Sequence, residues 1–484
     1  MYIKNIFAIA AIISLASVAK AQQWASVGDA GLRGDVELLK RYDIIKGPIN
    51  TWPISWRQIT EGINIDGDQN YPKHVLRAID RVRSKIPNKG FRGSVTARYT
   101  NEPSLIRGFG DKARSDADLS ASVGFTEESF EANVNVNYRD NVTNNHVNFD
   151  NSYIAAHLGN WSLYAGAVDR WWGPGQDNTL LLSSNARPMM SAGLRRNDPK
   201  AFKSKWLSWI GPWTWDMFVA NMGDRRAIPD ALIAGIRLGF EPINNLEIGV
   251  SRTLQLCGQG RPCGFSTWVD SLIAVGDRDN TGTAAEPGNQ LASIDLSYSI
   301  NFGKQSLKLY AEGTAEDEVI LPVQYGRLVG ATLLTPFDEN GGNLSINLEL
   351  SDTNAIKYFF FGKNFPQSLY NHFLYKSGHR FDGRSLGHSL DSASKLASVT
   401  SVYTSSIGDR YRLTLRTGKI NTIGGPLNTI SAGSQKYQSA ELSALKAFDF
   451  GQLELEVTIQ TKALTLTHGT LPLLTGGLTW RIDI

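Results

Sequence analysis

The chain has 484 residues, of which 20% are charged, and its formal net charge is +3. That balance neither requires nor forbids an anionic partner, and it carries no basic footprint that would call for nucleic acid. Length alone would allow two or three soluble domains.

Residues 1–21 read as a secretory signal peptide. Lys4 supplies a positive start, Ile6 to Leu15 an apolar stretch broken only by Ser14, and Ala19-Lys20-Ala21 a small-residue cleavage site. The apolar stretch is too short to cross a bilayer, and nothing after it is long and apolar enough for a membrane helix. The mature chain is expected to begin at Gln22 in an oxidising compartment.

Residues 22–90 are expected to form a small three-helix bundle on the periplasmic side, because the stretch from about 29 to 87 follows a helical period. Leu32, Val36 and Leu39 share one face of a first helix, with Gly47-Pro48 as its stop. Ser55 and Gln58 have the spacing of a capping box in front of Ile59 and Ile63. Pro72 opens a third helix that carries Val75, Ile79, Val82 and Ile86 on one face. Asn64 to Asn70 resembles a calcium loop, but Arg77 stands where an EF-hand needs its last carboxylate, so a plain turn is expected.

From residue 91 to 484 the rhythm changes to period two. Phe130, Ala132, Val134, Val136 and Tyr138 alternate with Glu131, Asn133, Asn135 and Asn137, and Leu453 to Gln460 repeats the pattern. About eighteen such segments can be counted, most of them about ten residues long, the length of a tilted strand that crosses a bilayer. Alternation alone fits either a half-buried soluble sheet or a barrel with lipid outside and a polar lumen. Connector lengths separate the two. Short turns such as Glu127-Glu128-Ser129 and Gly159-Asn160 follow even strands, and long segments such as 256 to 289 and 354 to 394 follow odd ones. The segment Asn197 to Gly211 is the exception, being long where a turn is due. Tyr99, Tyr138, Tyr298, Tyr310, Tyr403 and Trp480 fall near strand ends, where interfacial girdles require aromatic rings. The expected fold is therefore all-β: a transmembrane β-barrel of about eighteen antiparallel strands with long extracellular loops. Cys257 and Cys263 flank a short loop and are expected to form a disulfide; two ligands are too few for zinc.

Three stretches resemble the Wzi family of capsule-assembly proteins. One runs from Gly28-Asp29 through Leu32-Arg33, Asp35 and Leu38-Leu39 to Gly47-Pro48 and Thr51-Trp52-Pro53. The most specific is Asp169-Arg170-Trp171-Trp172-Gly173-Pro174-Gly175, followed by Leu182-Ser183 and Asn185-Ala186-Arg187-Pro188-Met189. The third comprises Leu246 to Arg252 with Gly260-Arg261-Pro262. The resemblance implies an eighteen-stranded outer-membrane barrel with a periplasmic helical bundle, acting as a lectin that binds capsular polysaccharide and holds the capsule on the cell. It implies as partners capsular or exopolysaccharide, outer-membrane lipid and polysaccharide export machinery.

A polysaccharide reader needs flat aromatic faces and polar or charged groups. Arg170, Trp171, Trp172, Gln176, Asp177 and Arg187 offer both and are the candidate glycan-binding set at the outer mouth. The competing reading is structural, with the tryptophans in a girdle and the Arg and Asp side chains filling the lumen. Trp206, Trp209, Trp213 and Trp215 read as girdle residues. His379, Asp382, Ser385 and His388 could suggest hydrolysis, yet the stretch matches no nucleophile elbow. Glu316-Asp317-Glu318 reads as a solvated acidic surface rather than a glycosidase pair. No catalytic residue, metal site or cofactor is assigned. A channel is the alternative function, since a barrel of this size can enclose a pore, and a barrel hydrolase stands behind it. A closed barrel leaves no strand edge to pair, so a monomer is expected.

Overall fold

The computed structural model describes residues 24–65, 71–140, 145–273, 288–316, 324–358 and 361–484. The signal peptide, the start at Gln22, most of the Asn64 to Asn70 turn, and Asp317-Glu318 lie outside the described residues.

The N-terminal segment forms three helices: α1 (Ala30–Arg41), α2 (Trp56–Ile65) and α3 (Lys73–Lys85). Asp29 caps α1, its Oδ1 accepting from the backbone N–H of Gly31 and Leu32. Lys40 and Arg41 occupy the last turn, where cations suit the helix dipole. The helix ends at Arg41 and the chain turns at Asp43 (φ 64°), ahead of Gly47-Pro48, which is not the stop. Nor does the Ser55–Gln58 capping box form. Ser55 Oγ accepts from Arg57, while the Gln58 amide donates to the carbonyls of Lys46 and Pro48 and ties the preceding loop to α2. Pro72 does open α3. Val36, Leu39, Ile45, Ile59, Val75 and Val82 are sealed from solvent in one shared core.

Eighteen long strands follow among the described residues. They are β1 (Gly90–Thr100), β2 (Ala117–Thr126), β3 (Phe130–Arg139), β4 (Tyr153–Leu158), β5 (Trp161–Ala167) and β6 (Met190–Arg196). Next come β7 (Trp213–Asn221), β8 (Leu232–Ile243), β9 (Leu246–Leu256), β10 (Asn289–Phe302), β11 (Gln305–Glu316) and β12 (Gln324–Pro336). The last six are β13 (Asn343–Lys357), β14 (Lys395–Thr404), β15 (Arg410–Ile420), β16 (Gln435–Phe448), β17 (Gly451–Gln460) and β18 (Leu474–Asp483). Each pairs antiparallel with its sequence neighbours, and β18 pairs with β1 (Leu478 opposite Tyr99) to close the barrel.

The alternation is inverted relative to a soluble protein. Asn137, Glu349 and Glu441 are buried, while Val134, Leu348 and Leu442 are about half exposed. Apolar side chains outward and polar side chains inward make a wall suited to lipid. Tyr99, Tyr138, Tyr298 and Trp480 lie on that outer face. Tyr310 does not: it points into the lumen and donates to Glu349 at 2.9 Å. Its neighbours Lys308 and Glu312 are inward as well, so the register of β11 decides its side, not its aromatic character. Among the described residues no helix is long and apolar enough to cross a membrane; the strands do the crossing.

Connectors at one end of the barrel are short, such as 127–129, 159–160 and 244–245, and those at the other end are long, such as 168–189 and 358–394. The three helices sit at the short-connector end. Arg81 donates to the carbonyl of Ser405, Lys73 to that of Glu339, and Lys89 pairs with Glu128. The long turn between β6 and β7 is explained by this docking. Lys200 in that turn pairs with Glu61 of α2 at 2.8 Å, and Gly47 lies against Pro199 and Pro212 with no room for a side chain. Trp206 and Trp209 of the same turn are exposed. Cys257 and Cys263 are joined in a disulfide in the connector after β9, close to a short helix α4 (Phe265–Ile273).

Candidate functional site

The connector between β5 and β6 carries all six candidate residues, from Arg170 near its start to Arg187 near its end. It does not stay at the mouth; it descends into the barrel. Trp171 and Trp172 pair antiparallel with Trp52 and Thr51, residues that precede α2. The N–H of Gly173 continues the ladder to the carbonyl of Asn50. A side chain at Gly173, whose φ is 145°, would collide with Thr179 and Glu312, and one at Gly175 would collide with the carbonyl of Asn178. The glycines of this stretch are thus required by close packing inside the lumen.

Two wall glutamates hold the descending loop. Glu349 on β13 accepts from the backbone N–H groups of Gln176 (2.7 Å) and Asn178 (2.9 Å). Glu312 on β11 accepts from Leu180 (2.8 Å) and from the Thr179 hydroxyl. Arg416 on β15 grips Asp177 with two donors, at 2.8 and 2.7 Å, and reaches Glu441 with a third. From the helical side, Arg33 donates to the carbonyls of Pro174 and Gly175 while lying over the ring of Phe109. Gln176 donates to Glu37. Burial alone would raise the Glu37 carboxyl, but Lys308, Arg33 and Arg41 around it hold it down at about 2. Helix α1, the β5–β6 connector and the wall from β10 to β15 are one bonded plug.

These contacts revise the placement of the candidate set. Trp171 and Trp172 are each 1% exposed, and Arg170 and Asp177 are buried. Arg170 lies over the ring of Phe218 and donates to Tyr164 and Ser191. The indole N–H of Trp171 donates to the carbonyl of Gly175. Neither Trp171 nor Trp172 offers a flat face to a sugar at the outer mouth. Of the six, Gln176 and Arg187 are not fully buried, and Arg187 keeps a quarter of its side chain exposed. It pairs with Asp150 at 2.9 Å and with Asp382 at 3.3 Å, and Asp382 also pairs with the half-exposed Arg225. Arg225 and Asp382 come from connectors far apart in sequence and carried no local pattern that would have joined them. The 358–394 connector, which carries Asp382, also holds exposed rings at Phe361 and Phe373.

Comparison with known proteins agrees with this architecture. The sequence profile of capsule assembly protein Wzi matches residues 87–468. The chain belongs to the Wzi family. A relative from Klebsiella pneumoniae, an uncharacterised 55.8 kDa protein in the cps region, is 32% identical over 319 residues. That match takes in 64% of this chain and 62% of the relative, so the chain spans somewhat under two thirds of that protein's length. The solved structure of Escherichia coli Wzi, an outer membrane protein involved in group 1 capsule assembly and described as a carbohydrate-binding β-barrel, superposes with a TM-score of 0.83 at 23% identity. It covers 96% of this chain and 99% of its own. The likeness extends over helices and barrel together, so the fold of this Wzi-family chain is an eighteen-stranded outer-membrane barrel.

The residues that could suggest hydrolysis do not assemble. His379 Nε2 meets the carbonyl of Leu181, and His388 Nε2 meets Ser351 Oγ. Ser385 Oγ accepts from the N–H of Gly387, and Asp382 is engaged by arginines. Burial pushes both histidines down to about 4, so they are neutral fasteners of the connector over the plug.

Proposed function

We propose that this chain is a non-enzymatic outer-membrane lectin that holds exported capsular polysaccharide at the cell surface, with its long connectors outside and its helices in the periplasm, near the export machinery. The observation that carries the reading is the bonded plug. A lumen crossed by α1 and the β5–β6 connector favours a surface role over a wide pore, and leaves the long-connector end as the working face. Arg187, Arg225 and Asp382 on that face suit hydroxyl and carboxylate groups of a glycan, with the exposed rings of Phe361 and Phe373 for stacking. Arg170, Trp171, Trp172, Gln176 and Asp177 serve glycan binding indirectly, by fixing the plug beneath that face. The chain reaches this place through cleavage of residues 1–21 and works as a monomer.

The test is binding of the host's own capsular polysaccharide to full-length protein in detergent. Replacing Arg187 and Arg225 together by Ala is expected to weaken binding at least about tenfold, the worth of two charge-assisted contacts. The fold should survive, because Asp150 keeps Arg139 at 2.7 Å. Unchanged affinity would remove this rim from the reading.

A further inference from the structure

The connector between β1 and β2 also folds into the barrel, where Phe109 packs between Trp52 and Trp171. It carries Arg107 to a small cavity of about 40 Å³ lined by Gly28, Arg107, Asp111, Lys112, Arg114 and Asp169, among others. Three cations and two carboxylates share the wall, but their pairing is uneven. Lys112 is held by Glu441 and Glu456. Asp111 is paired with Arg98, and Asp169 is 3.5 Å from Arg114. Arg107 makes no hydrogen bond or ion pair among the described residues, although it is 8% exposed and its Nε and Nη1 are fully covered; the Asp169 carboxylate offsets its charge only from a longer distance. Arg384, close enough to add its charge, donates to the carbonyl of Leu105 and feels the Asp391 carboxylate only at a distance, forming no ion pair among the described residues, and its Nε is buried without an acceptor.

A buried guanidinium without an acceptor is destabilising, because its desolvation is not offset by a hydrogen bond. Burial, and then the like charges of Arg114, Arg384 and Arg139, push Arg107 well below the usual arginine range. A positive surplus beside a cavity whose wall includes the half-exposed Asp111 is the complement of an anion. The size narrows the choice. A space of about 40 Å³ holds a few water-sized groups, enough for a carboxylate but not for a sugar ring.

We propose that the cavity walled by Arg107, Arg114 and Lys112 is an anion site that takes the carboxylate of an acidic sugar, the ring remaining outside. Assigning the carboxylate to a sugar rests on the lectin reading above; the anion site itself does not. A free inorganic oxyanion shares the chemistry and is the competitor to be distinguished.

Calorimetric titration of the full-length protein in detergent with glucuronate, glucose and inorganic phosphate separates these. Glucuronate is expected to bind and glucose not, and Arg107→Gln should weaken glucuronate at least about tenfold. Without ligand, Arg107→Gln should raise the unfolding temperature, because it removes an unpaired buried charge. Phosphate binding without glucuronate binding would overturn the sugar-acid assignment. Equal glucuronate affinity in the variant, or a lowered unfolding temperature with unchanged affinity, would overturn the site. Arg107-dependent glucuronate binding in a protein that ignores whole polysaccharide would support the anion site while removing the lectin reading.

Discussion

The two sides of the lumen follow the same alternation and end in different states. Along β8 to β13, inward residues are dry: Arg237, Asp295 and Glu312 are each 1% exposed. Arg237 and Asp295 pair at 2.6 Å, and Thr51 of the N-terminal segment receives a hydrogen bond from Arg237. Along β17, β18 and β1, part of the inward face stays wet, although Thr96, Thr100, Thr458 and Gln460 are buried. Arg481 is half exposed, Glu456 keeps a quarter of its side chain in contact with solvent, and Asp111 beside them is also half exposed. The plug leans on the first side and leaves the second solvated. An inward polar side chain in a barrel is therefore not one kind of residue. What it contributes depends on what the plug brings to it, and that partner comes from elsewhere in the chain.

The largest expected effect is on the plug itself. Replacing Trp171 and Trp172 together by Ala should cost about 3–5 kcal/mol for each ring. It should also free the β5–β6 connector from the wall at Glu312 and Glu349. Planar-bilayer recording is expected to show a new steady conductance in the double variant. If conductance does not change, the dry side is held by something other than this connector.

The comparison itself is broken or upheld by a pair of single substitutions. Arg237→Ala leaves Asp295 buried without its partner and should lower stability by about 3–5 kcal/mol. Arg481→Ala removes a charge of the same kind from the wet side and should change stability by less than about 0.5 kcal/mol. Denaturant unfolding in detergent measures both. Similar losses would mean that the two sides are energetically alike and that exposure is a poor guide here.

The eighteen strands were readable because period two needs only the residue and its neighbours, and lipid outside makes that pattern strict. Connector parity was readable for the same local reason, and its one exception, 197–212, was unreadable because it depends on Glu61 of α2. Side assignment failed where residue type was used in place of register, as at Tyr310. The Trp171-Trp172 stretch stood out in sequence as unusual, but its depth did not. Sequence shows that two tryptophans sit among glycines; it does not show that Thr51 and Trp52 arrive to pair with them. Ser55 and Gln58 had capping-box spacing, yet the Gln58 amide had better acceptors in the carbonyls of Lys46 and Pro48. Arg107 was missed because an unpaired charge is defined by what surrounds it.

The smallest effect concerns acid and sharpens the contrast further. His379 and His388 fasten the 358–394 connector over the dry side, and burial lowers both from 6.5 to about 4. Between those values the folded connector holds them neutral, while an opened connector would bind a proton at each. Opening therefore becomes easier as pH falls from 6.5 toward 4, by about tenfold per pH unit for each histidine, and no further below that window. Above 6.5 neither state is protonated and the term vanishes. Limited proteolysis of the connector across this range reads the effect, and the double variant His379→Gln with His388→Gln should flatten the profile. Connectors over the wet side, such as 461–473, have no such buried histidine and should show no step in the same window, so a step of equal size there would erase the distinction between the two sides.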